Sequence, residues 1–88
     1  MLSILDISLN VSILYFMAHE SVGNNIKEIR TKQGMTQAEL AGLVRVARVS
    51  IISIEKGHFI PTIETALRIS KALGVPIEQI FWLQEENP

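Results

Sequence analysis

Residues 37–56 read QAELAGLVRVARVSIISIEK, and the spacing of the apolar residues in this stretch decides the fold. Leu40 and Val44 are four residues apart, so they lie on one side of a first helix. Ile51 and Ile54 are three residues apart and mark the inner side of a second helix. We expect the two helices to be joined by a tight corner just before Val46.

The two predicted helices have the spacing of a helix-turn-helix. Ala41 is small at the point where two crossing helices must approach closely, and Val46 is an apolar residue just past the corner. The second helix of such a motif can enter the major groove of double-stranded DNA. This stretch therefore predicts a fold element, a class of partner and a mode of binding.

The composition excludes several other classes of protein. The 88 residues are 48% apolar, which is enough for one small domain with a hydrophobic core. There is no cysteine, and His19 and His58 stand apart, so neither a disulfide nor a metal site is expected. Nothing resembles a phosphate-binding glycine loop or a nucleophile with its base. We therefore expect a protein that is not an enzyme and needs no cofactor or metal.

The charged residues are unevenly distributed, although the formal net charge is only −1. Residues 25–58 carry six basic and three acidic side chains, whereas residues 1–24 and 59–88 each carry an excess of two negative charges. A molecule with a cationic middle segment suits the phosphate backbone of a nucleic acid.

Residues 1–16 differ from the rest of the chain because apolar and polar residues alternate from Leu5 to Ile13. This period predicts a strand with one buried face. The stretch is too short and too polar for a membrane span, and Asp6 interrupts the apolar run that a signal peptide needs. Either the strand pairs with its copy in a second subunit or with residues 81–83, or the stretch lies upstream of a natural start at Met17.

We expect three parts: an N-terminal extension at residues 1–20, a domain at residues 21–83 and an acidic tail at residues 84–88. The domain should begin with a polar link at residues 21–25 and contain five helices. The first helix is expected at residues 26–33 and the third at residues 47–57. A capping box of Thr36 and Glu39 opens the second helix, and Thr62 caps the fourth. A short fifth helix follows Pro76. Residues 81–83 can continue as an extended segment. In the fourth helix, one face should hold Ile63, Ala66, Leu67, Ser70 and Leu73.

Over residues 25–83 the chain resembles the lambda Cro and lambda repressor type of helix-turn-helix proteins, also called the xenobiotic-response-element family. The resemblance is carried by IKEIRTKQGMTQAELA, by ISIEKGHFIPTIETALRISKALGV and by PIEQIF. It implies an all-α, five-helix DNA-binding bundle, to which this chain adds the predicted N-terminal strand. It also implies a dimer on a near-palindromic operator.

The resemblance implies roles for several residues. Gln37 opens the first helix of the motif, where members of the family contact a phosphate or the first recognition residue. Arg30 and Glu55 match an ion pair that ties helix one to the end of helix three. Arg48 and Val49 match positions that read base edges, and members commonly bind phosphates at the positions of Lys56 and His58.

Helical geometry gives the outward face of helix three independently. At about 100° per residue, Ala47, Ile51 and Ile54 share the inner side. The side chains on the opposite face or its flanks are Arg48, Val49, Ser50, Ile52, Ser53 and Lys56. An arginine can bind guanine with two hydrogen bonds, whereas Val49 and Ile52 can touch only apolar groups, chiefly thymine methyls.

The chain departs from the family pattern at the corner. Arg45 stands where glycine is preferred, and a left-handed backbone costs a non-glycine residue about 1–2 kcal/mol. Arg45 can in return add a contact to the DNA backbone. Ala47 stands where a capping Ser or Thr is usual, a loss of about 1 kcal/mol.

These observations predict a homodimeric, sequence-specific DNA-binding regulator in the cytoplasm, most simply a repressor, with no evident small-molecule effector. Two alternatives have the same fold and also bind DNA: an antitoxin and a restriction-modification controller. A third is a protein-interaction module that does not bind DNA, because Val49 and Ile52 would leave an apolar surface exposed.

Overall fold

The computed structural model describes residues 22–84. Its elements are β1 (Val22–Asn24), α1 (Ile26–Lys32), α2 (Gln37–Val44), α3 (Arg48–Glu55), α4 (Ile63–Leu73), α5 (Ile77–Ile80) and β2 (Phe81–Leu83). The predicted five-helix fold is confirmed, and a small sheet is added to it. The strand predicted within residues 1–16 lies outside the described residues. Among residues 22–84, no helix is both long enough and apolar enough to cross a membrane.

A single core joins all five helices. Its fully buried side chains come from each helix in turn: Ile26, Leu40, Val44, Ile51, Ile54, Ile69 and Ile80. Burying a side chain of this size contributes about 1.5–3 kcal/mol. α2 packs against both α3 and α4, with the small Ala41 buried in the core cluster. The apolar spacing of residues 37–56 therefore placed the centre of the molecule correctly.

The predicted inner face of α4 is partly wrong. Ala66 and Leu73 are buried as expected, but Ile63 and Leu67 are exposed and Ile69 is fully buried instead. Two apolar stripes lie side by side on this helix, and a helix on the surface of a small domain can turn only one of them inward. The buried stripe is the one with spacing i, i+3, i+7, which the sequence alone did not distinguish.

The two ends of the domain form an antiparallel sheet. β1 pairs with β2 so that Val22 lies opposite Leu83, Gly23 opposite Trp82 and Asn24 opposite Phe81. The extended geometry predicted for residues 81–83 is present. The polar link predicted at residues 21–25 is wrong for residues 22–24, which become a strand because β2 supplies a partner from the far end of the domain.

Asn24 connects this sheet to the helices. Its Oδ1 accepts a hydrogen bond from the Ile26 backbone N–H at 3.2 Å, at the start of α1. Its Nδ2 donates to the Ile54 carbonyl at 2.9 Å, near the end of α3. The next residue, Asn25, donates its backbone N–H to the Ile80 carbonyl at 3.1 Å. The end of α3 is thus attached to the sheet as well as to the core.

Gly23 is buried under the ring of Trp82, and this predicts opposite effects of alanine at two glycines. A Cβ at Gly23 would collide with the indole, reaching 2.7 Å from Trp82 Cε2. We expect Gly23→Ala to lower the free energy of unfolding by about 1–3 kcal/mol, as overpacking does. It should also shift the fluorescence of Trp82, the one tryptophan of the chain.

The control is Gly42→Ala, because a Cβ there meets nothing within 4 Å on the exposed side of α2. That change should raise the free energy of unfolding by about 0.5–1 kcal/mol. Urea denaturation followed by circular dichroism measures both values. A neutral Gly23→Ala with unchanged fluorescence would contradict the close packing of Trp82 on β1.

Candidate nucleic-acid interface

The corner between α2 and α3 has the geometry of a helix-turn-helix. Arg45 ends α2 with φ 66° and ψ 43°, the left-handed conformation. Among the described residues it is the one non-glycine residue with a positive φ. The Val46 backbone N–H then donates to the Ala41 carbonyl at 3.1 Å and turns the chain toward α3. The strain expected at Arg45 is therefore present in the fold.

The start of α2 is held by the predicted capping box. The Glu39 backbone N–H donates to Thr36 Oγ1 at 3.0 Å, and the Thr36 backbone N–H donates to Glu39 Oε1 at 3.1 Å. The hydrogen bond from the Thr36 backbone, with a further contribution from the Thr36 hydroxyl, lowers the pKa of Glu39 below its ordinary value. These contacts set where α2 begins, so they also set the position of Gln37, its first residue.

A buried ion pair joins α1 to the last residue of α3. Arg30 Nε donates to Glu55 Oε2 at 2.7 Å, and Arg30 Nη2 donates to Glu55 Oε1 at 3.2 Å. The two side chains are only 10% and 5% exposed. Arg30 Nη1 also donates to the Met35 carbonyl at 2.9 Å, in the link before α2. One guanidinium therefore connects three segments of the domain.

Gln37 extends this ion pair to the outer side of α3. Its Nε2 donates to Glu55 Oε1 at 3.1 Å, and its Oε1 accepts from Arg48 Nη2 at 3.3 Å. The result is a hydrogen-bonded row from Arg30 through Glu55 and Gln37 to Arg48. Among residues 22–84, the exposed Arg48 guanidinium makes no other hydrogen bond. Lys27 and Thr31, which the sequence reasoning did not single out, line an open cleft beside Gln37 and Arg48.

The outward side of α3 mixes cationic, hydroxyl and apolar side chains. Arg48 and Lys56 are exposed, and Val49 is 68% exposed. The half-buried side chains are Ser50, Ile52 and Ser53. On the inner side, Ile51 and Ile54 are fully buried, as the spacing predicted.

The remaining candidates lie around the ends of the helices. Arg45 at the corner and His58 after α3 are exposed. Ala47, predicted on the inner side, is exposed because it precedes the first turn of α3. It provides no side-chain hydrogen bond to cap the helix, as its chemistry requires.

One residue of this surface was not found from the sequence. Phe59 is 52% exposed and, together with Val49, Ser50, Ser53 and His58, lines a depression beside α3. A loop residue has no helical period to reveal its direction. The sequence feature that could have pointed to Phe59 is its apolar character, since Phe59 and Ile60 are adjacent apolar residues in a loop between Gly57 and Pro61.

Within residues 22–84, no group of three acidic or histidine side chains could hold a metal ion. The side chains that this surface presents are suited to hydrogen bonding and apolar contact. They provide hydrogen-bond donors from arginine, lysine and serine and apolar contact from Val49, Ile52 and Phe59.

Known sequences place this arrangement among DNA-binding regulators. A family model described as helix-turn-helix matches residues 26–80. The uncharacterized HTH-type transcriptional regulator YgzD of Bacillus subtilis strain 168 is 42% identical over 64 residues, which are 73% of this chain and 97% of the relative. The cryptic phage CTXphi transcriptional repressor RstR of Vibrio cholerae is 30% identical over 64 residues, 73% of this chain and 58% of the relative.

Solved structures agree with the sequence comparison. The crystal structure of the restriction-modification controller protein C.AhdI from Aeromonas hydrophila matches with a TM-score of 0.59 at 26% identity. The match covers 61% of this chain and 82% of that protein.

The left-handed backbone at Arg45 predicts that glycine stabilises the corner. Arg45→Gly should raise the free energy of unfolding by about 1 kcal/mol, because glycine adopts this conformation without a steric penalty. The matched control is Arg68→Gly, the same replacement in the interior of α4, which should lower the free energy of unfolding by about 1 kcal/mol. Urea denaturation of both variants measures the difference, and changes of the same sign would contradict the strained corner.

Proposed function

This chain belongs to the helix-turn-helix family of DNA-binding transcriptional regulators, and we propose that it is a homodimeric repressor that reads a near-palindromic operator with α3. The observation that carries the proposal is that α3 has one face buried in the core and an opposite face exposed to solvent. Ile51 and Ile54 anchor the helix in the core, while Arg48, Val49 and Lys56 project into solvent. A helix of this kind can lie in the major groove without being detached from its own domain.

The base-reading part of the proposal rests on the first turns of α3. Arg48 donates two hydrogen bonds to the O6 and N7 atoms of guanine, a contact that discriminates by about 1–3 kcal/mol. Val49 and Ile52 contact thymine methyl groups. The hydroxyls of Ser50 and Ser53 hydrogen-bond to base edges beside them.

Four other side chains position the protein on the phosphate backbone. They are Gln37 at the start of α2, Arg45 at the corner, Lys56 at the end of α3 and His58 in the following loop. Arg45, Lys56 and His58 are exposed, and Gln37 is half-buried. Contacts of this kind carry no sequence information, and their strength falls with salt because they release counterions.

The dimer places two copies of α3 about 34 Å apart, in successive major grooves on one side of the duplex. The exposed Trp82 and Leu83 of β2 offer apolar surface to a second copy, as would residues 1–20 if they pair as the predicted strand. Repression by occupying a promoter in the cytoplasm is supported by the similarity to RstR, which is named a transcriptional repressor.

A second candidate function is control of restriction-modification genes. It is favoured by the structural match to C.AhdI, a restriction-modification controller protein. The two candidate functions use the same DNA interface and differ in which genes lie beside the operator. The genes found beside the selected sequence therefore decide between them.

Selection of bound duplexes from a random library, followed by sequencing, tests the proposed function. We expect the enriched sequences to contain two inverted half-sites whose centres are about 10 base pairs apart. As the control, the same random library is taken through the selection without protein. If no sequence is enriched and the protein is not retained on any duplex at low salt, a module that does not bind DNA becomes the better description.

The division of labour along α3 predicts different effects of two alanine variants on the selected operator. Arg48→Ala should reduce the preference for operator over random duplex by about tenfold or more, since it removes a base contact. Lys56→Ala should weaken binding to both duplexes alike and reduce the slope of log K against log salt by about one. Fluorescence anisotropy at several salt concentrations measures both. Equal effects on the two duplexes for both variants would contradict the assigned roles.

A further inference from the structure

The depression beside α3 is lined by both apolar and polar side chains. Val49 and Phe59 supply the apolar walls, and both are more than half exposed. Ser50 and Ser53, which carry hydroxyls, and His58 complete the lining. The depression opens to solvent on the same side of α3 as the base-reading positions. Two large apolar side chains left in water at this place call for a partner that covers them.

The turn after α3 brings the loop back to the helix. Gly57 has φ 78°, and the His58 backbone N–H donates to the Ser53 carbonyl at 3.0 Å. The Gly57 backbone N–H donates to the Ile54 carbonyl at 3.0 Å. These two hydrogen bonds form a Schellman motif, which sets His58 beside the last full turn of α3. Phe59 is therefore held next to the recognition surface by backbone geometry.

We propose that this depression receives the 5-methyl group of one thymine in each operator half-site, with Val49 and Phe59 in contact with the methyl group. The inference rests on the proposed function, and it adds a residue outside α3 to the sequence-reading surface. Phe59 becomes a specificity-determining residue through direct contact with a base.

The chemistry of the DNA grooves selects this occupant. Base edges in the major groove present hydrogen-bond donors and acceptors, and the thymine methyl is their one apolar group. On thymine, the methyl lies beside the O4 acceptor. The depression offers the complement of that pair, because a serine hydroxyl can donate to O4 while Val49 and Phe59 cover the methyl. A cytosine at the same position would present an amino group in place of O4 and would leave the apolar walls without a methyl group to cover.

Replacing thymine by deoxyuridine in the selected operator tests the contact, because the two bases differ only by the methyl group. We expect one position per half-site at which the replacement weakens binding of the unaltered protein about fourfold, the ratio that burial of one such group provides. In Phe59→Ala that ratio should fall toward one. Phe59→Leu, which keeps an apolar wall, should retain most of it.

Leu43→Ala is the matched control. Leu43 is an apolar side chain of similar exposure, 58%, on α2, and it does not line the depression. This variant should keep the fourfold preference for thymine. Circular dichroism and urea denaturation of each variant establish that the domain is folded.

Two results would overturn the inference while leaving intact the proposal that a dimer binds DNA through α3. One is an operator that is bound equally well with deoxyuridine at every thymine. The other is a Phe59→Ala variant that weakens thymine and deoxyuridine duplexes alike, which would place the ring against the sugar-phosphate backbone. Failure of the unaltered protein to bind any duplex would instead remove the proposed function, and this inference with it.

Discussion

The buried ion pair between Arg30 and Glu55 is the contact on which the geometry of the candidate interface depends. Both side chains are almost fully removed from water, so each charge requires the other to compensate for its lost hydration. Removing one partner of such a pair typically costs about 3–5 kcal/mol, because the remaining charge is left unpaired. The pair thereby favours one position of α1 relative to the end of α3, and alternatives that separate the two charges are strongly disfavoured.

This constraint reaches the surface through Gln37. One carboxylate oxygen of Glu55 accepts hydrogen bonds from both Arg30 and Gln37, and Gln37 in turn accepts from Arg48. An exposed arginine ordinarily loses considerable rotamer freedom when it binds. For the DNA contact proposed for Arg48, part of that ordering is already present in the hydrogen bond to Gln37. The packed interior and the candidate interface are therefore linked by four side chains.

A structural feature could be predicted from the sequence where the residues that determine it are close together in the chain. The core spacing of α2 and α3 and the capping box of Thr36 and Glu39 follow from residues within a few positions of one another, and both are present. The left-handed corner at Arg45 is also present, and it was expected from the family pattern. β1 could not be predicted in this way, because its three residues have no strand period and its partner lies at the other end of the domain. The prediction of the inner face of α4 was partly wrong for a different reason, because this helix has two adjacent apolar stripes and only one of them is buried.

The interface shows the same division. The outward positions of α3 follow from the helical period, whereas Phe59 reaches that surface only through the turn at Gly57. The pairing of Arg30 with Glu55 joins residues 25 positions apart, and it could be expected only from the family resemblance. Periodicity in the sequence therefore did not reveal these long-range contacts, and the family resemblance supplied one of them.

The antiparallel pairing of β1 with β2 also brings the entry and exit of the described domain side by side, with Val22 opposite Leu83. Proteins whose chain ends are neighbours generally tolerate circular permutation and insertion into another chain. A short peptide could therefore join these ends without crossing the domain. Two such domains could equally be joined by a short linker into a single-chain tandem.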